Sequence, residues 1–430
     1  NYVFDPNVYL KRFFQEGVKG DYIFLVDEAH NLVERSREMY SACLYKEDFL
    51  EMKRLLKYYS KKIEKLCDRC NKIMLEYKRA CVNYTLHENT GNLIFALMTL
   101  AAELETFLQK PSRERQWKGE FADKPFDFAG RKEVLEFYFQ IMHFLNISSL
   151  VDEHYEIYSE IQDDGRFMLK LFCVDPSENL QKCMDKGNAT IFFSATLLPI
   201  QYYKSLLSTI KDNYAVYAES TFQQEQRLLL IANDVSTKYT RRNENEFARI
   251  AEYIEKTIQC KKGNYMAFFP SYKLMNQVYE VFLEIDRGRN SSIVQESGMK
   301  EIEREAFLQS FEQKYESSFV AFCVMGGIFS EGIDLTNDRL IGAIVVGTGL
   351  PQISNEREIL KKHYDEISGD GFDYAFRFPG MNKVLQAAGR VIRTTEDFGV
   401  ILLLDERFLQ SDYQMLYPRE WNDRRICNIH

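Results

Sequence analysis

The chain has 430 residues, nine cysteines, a net charge of −9 and an apolar fraction of 45%. That length exceeds one ordinary core and predicts two or three domains. No apolar run approaches the ~20 residues of a membrane helix, and the acidic balance excludes a surface coated in basic charge. Any nucleic-acid contact must therefore come from a local groove or patch, and scattered, odd-numbered cysteines suit reduced thiols better than a disulfide framework. The first residue is Asn1 and no signal-peptide pattern follows, so the chain is expected to be a portion of something longer.

In chain order, Val8 to Phe14 carries a short helical pattern. Ile23-Phe24-Leu25-Val26 is a short apolar run, expected as a fully buried strand of a parallel sheet, and it ends abruptly in Asp27-Glu28-Ala29-His30. From about Arg35 the pattern turns helical, with Phe49, Met52, Leu55, Leu56 and Tyr59 at three- and four-residue spacings and no proline between Pro6 and Pro111. Lys53, Arg54, Lys57, Lys61, Lys62 and Lys65 lie among them, either as a solvated helix face or as a contact for a nucleic-acid backbone. Cys67 and Cys70, with Cys81 beyond, have a metal-site look. On a helix, however, i and i+3 share a face, and His87 is a fourth ligand only by proximity, so core packing is expected.

Pro111 to Gly130 reads as a loop and Glu133 to Leu145 as a helix. Tyr155 to Ile161 and Phe167 to Phe172 flank Asp163-Asp164-Gly165, which predicts a hairpin. Thr190 to Phe193 is a further short strand expected to be buried, ending in Ser194-Ala195-Thr196-Leu197. A sheet is thus expected to begin before residue 30 and to resume near residue 155, with a helical insertion between. Beyond it, strands at Leu228–Ile231, Tyr265–Phe269, Phe319–Val324, Leu340–Val346 and Gly399–Leu404 alternate with helices at Asn245–Gln259 and Lys273–Ile285. Such alternation predicts a doubly wound α/β domain.

Two carboxylates at the carboxyl end of a strand stand where α/β folds bind ligands. Asp27 can hold a hydrated Mg²⁺ that bridges phosphate oxygens, and Glu28 can orient or deprotonate an attacking water. The plain alternative is a solvated strand end before a helix, where acids are welcome. Gln386, Arg390 and Arg393 are spaced i, i+4, i+7 and are expected on one helix face, with guanidinium forks suited to phosphate. Gly326, Gly327 and Gly332 allow tight turns; Glu331 and Asp334 are acidic, which leaves backbone N–H groups near Ser330 and Gly332 to meet a nucleic-acid phosphate. Ser194 and Thr196 can hydrogen-bond, with strand-end capping as their alternative role.

These stretches fall in a recognisable order. Asp27-Glu28-Ala29-His30 resembles the DEAH box (motif II) of superfamily 2 helicases. Ser194 to Leu197 resembles motif III, Phe268-Phe269-Pro270-Ser271-Tyr272 motif IV, Gly326 to Leu335 motif V, and Gln386 to Arg393 the QxxGRxxR of motif VI. The ~110-residue helical insertion after the DEAH box is similar to the arch of the XPD/DinG branch. The opening Asn1-Tyr2-Val3-Phe4-Asp5-Pro6, Phe172 to Pro176 and Leu404 to Phe408 also look like that branch.

The resemblance implies an α/β fold of two RecA-like motor domains, the first incomplete at its N-terminus, with a helical arch insertion. Residues 1–35 and 151–204 would form the first motor domain, 36–150 the arch-like insertion and 205–430 the second motor domain. It implies an ATP- and Mg²⁺-dependent enzyme moving 5′ to 3′ on single-stranded DNA. Arg390 and Arg393 would stabilise charge developing across the cleft between the motor domains, and Gln386 would sense the γ-phosphate. His30, Ser194, Thr196, Gly332 and Asp334 would couple hydrolysis to the DNA path, and Ser271, Tyr272 and Ser330 would contact DNA.

The family's phosphate loop, G-x-x-x-x-G-K-[ST], does not occur in these residues. The chain alone is therefore expected to bind ATP poorly, as the carboxyl-terminal portion of a helicase. An iron–sulfur cluster is expected only in a preceding part, never on Cys67, Cys70 and Cys81. A non-hydrolysing DNA-binding or scaffold module that keeps the fold is the competing reading. Neither reading names a protein partner, no membrane association is expected, and a bacterial-type, nucleoid-associated cytoplasmic location is.

Overall fold

The structure, a computed structural model, describes residues 2–7, 19–109, 130–329, 335 and 339–429. The chain divides into two compact units, Asn1–Ser194 with Lys204–Lys211, and Ala195–Tyr203 with Asp212–His430. The short helix expected over Val8–Phe14 and most of the loop expected over Pro111–Gly130 lie outside the described residues.

In the first unit, strand β1 (Ile23–Val26) pairs in parallel with β6 (Ala189–Phe192), Val26 opposite Phe192. β1 is not fully buried as expected: Phe24 is 8% exposed, but Ile23 and Leu25 are 64% and 67% exposed. β6 is likewise open, with Ile191 exposed. Among the described residues these two strands pair only with each other, and their alternate side chains, which share one face, are left uncovered.

The hairpin forms where its turn chemistry predicts. β4 (Tyr155–Ile161) and β5 (Phe167–Cys173) are joined through Gly165, whose φ of +82° suits a residue without Cβ, while Gly165 N–H donates to Gln162 O at 2.8 Å. It does not resume the β1 sheet. It is the centre of a separate antiparallel sheet, ordered β2-β5-β4-β3, with β2 (Ala42–Tyr45) and β3 (Tyr84–His87) on its flanks. The parallel sheet resumes instead at Ala189.

Helix α1 (Leu32–Met39) follows the carboxylates, and α2 (Lys46–Leu56), α3 (Lys61–Ala80), α4 (Leu93–Gln109) and α5 (Arg131–Ser148) pack in sequence, each against the next. In α3 the Ser60 hydroxyl caps the first turn by accepting from Ile63 N–H at 3.3 Å, and Ile63, Cys67, Cys70 and Met74 form one fully buried stripe. Burial pushes the Cys67 and Cys70 thiols up to about 12, so both stay protonated and pack as small apolar groups. Helix α6 (Ser177–Met184) leads into β6.

The second unit carries the doubly wound sheet. Its seven strands are β7 (Arg227–Ala232), β8 (Asn264–Phe269), β9 (Ser291–Val294), β10 (Phe319–Val324), β11 (Gly342–Val346), β12 (Gly399–Leu404) and β13 (Arg425–Cys427). They are ordered β13-β7-β12-β11-β8-β10-β9 and all pairs are parallel. Helix α7 (Ile200–Leu207) precedes this sheet; α8 (Glu244–Cys260), α9 (Tyr272–Asp286), α10 (Glu301–Gln309), α11 (Asn355–Ile367), α12 (Phe378–Ala388) and α13 (Ser411–Gln414) follow in order. One face buries Ile250, Ile254, Leu274 and Val278 from α8 and α9, and the other Phe307, Met381, Val384 and Leu385 from α10 and α12. Both faces covered is what near-continuous apolar strands such as β8 and β10 require.

Candidate functional site: two polar clusters

At the carboxyl end of β1 the chain turns sharply. Asp27 Oδ1 accepts from Glu28 N–H at 2.7 Å, and Glu28 itself has φ 48° and ψ 44°, a left-handed conformation that a residue with a Cβ adopts at a cost. Both carboxylates are exposed. The adjacent β6 ends alongside, where Phe193 N–H donates to Val26 O at 3.0 Å and Ala29 N–H to Phe193 O at 3.2 Å. This register brings Ser194 to the carboxylates. Its hydroxyl donates to Glu28 Oε2 at 3.3 Å and lies 2.7 Å from Nδ1 of the buried His30, which is also 3.3 Å from Glu28 Oε2. Asp27, Glu28, His30 and Ser194 are thus gathered at one strand end.

The second unit gathers Thr196 and Gln386. Asn382, buried on α12, points Nδ2 at Thr196 O (2.8 Å), Thr196 Oγ1 (3.0 Å) and Tyr203 Oη (2.8 Å), so two protons are shared among three acceptors. Its Oδ1 accepts from Gln386 Nε2 at 2.9 Å. Sequence reasoning missed Asn382 and Tyr203. The available signal was Asn382 lying one helical turn before Gln386, on the same face.

Arg390 and Arg393 do not share a helix face with Gln386. Helix α12 ends at Ala388, with Gly389 as its cap donating to Leu385 O at 2.9 Å. The next amides make looser, shorter-range bonds, Arg390 N–H to Ala387 O at 3.4 Å and Val391 N–H to Ala388 O at 3.5 Å. Gly389 and the β-branched residues after it disfavour helix, and the buried Asp397 completes the turn by accepting from Arg393 N–H (2.8 Å) and Thr394 N–H (2.6 Å). Arg390 is buried in that turn and Arg393 exposed beyond it. The start of α12 is seated by backbone contact: a Cβ on Gly349 (φ +67°), in the loop after β11, would meet Gly380 O at 2.5 Å.

Ser271 caps α9, accepting from Leu274 N–H at 3.3 Å, and Tyr272 Oη accepts from Nε2 of buried Gln295 at 2.8 Å. Both follow the carboxyl end of β8. Ser330, Gly332 and Asp334 lie outside the described residues. Beside these, Asp405 after β12 is fully buried and accepts from Thr237 N–H (2.8 Å), Thr237 Oγ1 (2.6 Å) and Arg407 Nε (2.8 Å). No helix among the described residues is long and apolar enough to cross a membrane.

A Helicase C-terminal domain family model matches residues 254–424. Among curated proteins the chain is similar to a Regulator of telomere elongation helicase 1 homolog of Caenorhabditis briggsae, 25% identical over 293 residues, covering 60% of this chain and 29% of that protein. It is also similar to ATP-dependent DNA helicase CHL1 of Candida albicans, 21% identical over 468 residues, covering 94% of this chain and 55% of that protein. The chain therefore spans well under two thirds of the length of these relatives. Both are eukaryotic proteins, so they lend no support to the expected bacterial, nucleoid-associated location. Among solved structures it is similar to S. tokodaii Xpd4 (TM-score 0.63, 13% identity, covering 99% of this chain and 81% of that one) and to an apo XPD (TM-score 0.59, 18% identity, 97% and 81%). The ordered motifs, the parallel-sheet fold and these likenesses agree: residues 254–424 match the helicase C-terminal domain family, and the fold of the chain is similar to that of the XPD structures.

Proposed function

We propose that the chain is part of an ATP-dependent DNA helicase or translocase that couples ATP hydrolysis to 5′-to-3′ movement on single-stranded DNA. The observation that carries this reading is the cluster at the end of β1, where Ser194 and His30 both engage Glu28 beside Asp27. A carboxylate held by a hydroxyl and an imidazole is fixed in direction, as a residue that orients a water must be. Asp27 offers hard carboxylate oxygen at an exposed strand end, which fits a hydrated Mg²⁺; when bound, that ion would neutralise phosphate charge.

In this reading Glu28 positions and deprotonates the attacking water. Gln386 reads the γ-phosphate, and Arg390 and Arg393 stabilise the charge that develops on it. Ser194, His30 and Thr196 transmit the hydrolytic state, together with Gly332 and Asp334, while Ser271, Tyr272 and Ser330 touch the DNA backbone. Residues 1–35 and 174–204 are assigned to a first motor domain, 36–173 to an arch-like insertion that includes the β4–β5 hairpin, and 205–430 to a second motor domain. The name of the Candida albicans relative, which specifies an ATP-dependent DNA helicase, supports the substrate and the energy source.

The test is ATP turnover by the 430-residue chain, with and without single-stranded DNA, beside a Glu28→Gln control. The sequence holds no G-x-x-x-x-G-K-[ST], so weak or no turnover with salt-sensitive DNA binding is expected of the chain alone, with turnover restored when a phosphate-loop segment is supplied in cis. Turnover indifferent to Glu28→Gln in that longer form would overturn the reading in favour of a non-hydrolysing DNA-binding module.

A further inference from the structure

Helix α3 carries a surplus of positive charge that the internal chemistry does not consume. Its residues 61–80 hold seven Lys and Arg against three Asp and Glu, in a chain whose net charge is −9. At 100° per residue, Lys61, Lys65, Arg69, Lys72 and Arg79 fall within an arc of about 80° and extend along about 27 Å of helix. All five are exposed, and they lie opposite the buried stripe of Ile63, Cys67, Cys70 and Met74. Glu76 is the exposed acid within the arc.

A solvated helix usually balances such a face with acids at i±3 or i±4. Here the half-buried Asp68 is already taken by Lys53 of α2 (2.6 Å) and by Lys72 (3.0 Å), which hold its carboxyl below the usual carboxylate range. Lys62, beside the arc, is paired with Glu103 of α4 at 2.6 Å. Among the described residues Lys61, Lys65, Arg69 and Arg79 make no ion pair. Glu64, at i+3 from Lys61, and Glu76, at i−3 from Arg79, make no ion pair among the described residues, and basic side chains in excess along one straight edge repel one another and are stabilised by a linear polyanion, whose phosphates release counterions on binding.

We propose that this face of α3 is a sequence-independent binding surface for a nucleic-acid sugar–phosphate backbone, centred on Lys61, Lys65 and Arg69. The choice of nucleic acid over other polyanions rests on the functional reading above; the surface itself does not.

The experiment measures binding of a fluorescently labelled oligothymidylate to the full chain across a salt series. It compares the wild type with the triple variant Lys61→Gln/Lys65→Gln/Arg69→Gln and with an equal-charge control, Lys261→Gln/Lys262→Gln/Lys314→Gln, at exposed lysines of the second unit. The α3 variant is expected to bind at least about tenfold more weakly at low salt, with the slope of log K against log salt reduced by about 2, while the control changes little. Circular dichroism melting checks that the variants stay folded, as expected for side chains facing away from the core. Equal losses in both triples, no loss in either, no binding by the wild type, or binding of polyglutamate in preference to the oligonucleotide would each overturn the proposal. An unchanged α3 variant beside a wild type that binds DNA would leave the functional reading intact. Loss confined to the α3 variant stands whatever the ATP turnover proves to be.

Discussion

His30 Nδ1 lies 2.7 Å from Ser194 Oγ, so residues 164 positions apart in the chain share one hydrogen bond at the end of a two-stranded parallel pairing. The same hydroxyl reaches Glu28. Removing it in Ser194→Ala takes from the exposed Glu28 carboxylate one of the two groups that hold it, without emptying any core. DNA-stimulated ATP turnover, measured in a form of the protein that hydrolyses ATP, is expected to fall about tenfold to a hundredfold with little change in KM. Ser194→Thr, which keeps the hydroxyl, should retain most of the rate. Equal rates for wild type and Ser194→Ala would remove Ser194 from the site.

Glu28 and Arg287 are the two residues other than glycine with positive φ among those described, and they differ in kind. Arg287 closes helix α9 at a position where left-handed backbone is ordinary. Glu28 follows the end of a strand, between Asp27 and His30 of the proposed site, where left-handed backbone is not ordinary. Glu28→Gly is expected to be more stable than Glu28→Ala by about 1 kcal/mol, because both lose the carboxylate and only the alanine keeps a Cβ at φ 48°. Both should be inactive. Denaturant unfolding of the two variants checks this, and equal midpoints would show that the turn is not strained.

The second unit was legible because its signals are local and long. Buried runs such as Tyr265–Phe269 and Phe319–Val324 alternate with the amphipathic helices α8 and α9, and a parallel sheet is the economical way to cover both faces. β2 and β3 were not legible. Each is four residues long, set among helices, and owes its strand geometry to pairing with a hairpin at least 70 residues further on, His87 opposite Ile157 being the nearest pair. The helix bearing Gln386 was overextended because the i, i+4, i+7 spacing of Gln386, Arg390 and Arg393 says nothing about Gly389, and a capping turn held by Asp397 depends on one hydrogen-bonding side chain rather than on a pattern. The order of the polar motifs was readable; which of their side chains meet was not.

Asn382 is the residue that ties Thr196 and Tyr203 to α12. It is buried, and Asn382→Ala leaves the Thr196 carbonyl and the Gln386 amide short of a partner. An unmade buried hydrogen bond costs about 1–3 kcal/mol, which is the expected loss of stability. Gln386→Ala removes its bond to Asn382 at a less buried position and should cost less than Asn382→Ala. Comparing the two denaturation midpoints tests this order. A larger effect at Gln386 would mean that Asn382 is not the anchor.

Asp405 joins the loop after β12 to Thr237 and Arg407 from the floor of the second unit. Burial works against its charge, but the Arg407 guanidinium and the Thr237 donors hold its carboxyl below the usual carboxylate range. A carboxyl with a depressed folded pKa contributes stability that is complete above its unfolded value of about 3.9 and is lost as pH falls through the lower folded value. Asp405→Asn keeps the shape but leaves Arg407, whose side chain is 14% exposed, without its counter-charge. Breaking one side of a buried pair costs about 3–5 kcal/mol, and that deficit is expected at about pH 7. Toward about pH 3 the unfolded wild type takes up a proton at Asp405 before the folded protein does, so the gap between the two proteins should narrow. Urea midpoints at the two pH values measure it. A deficit that does not shrink with acid would assign the loss to the geometry of the loop rather than to the charge of Asp405.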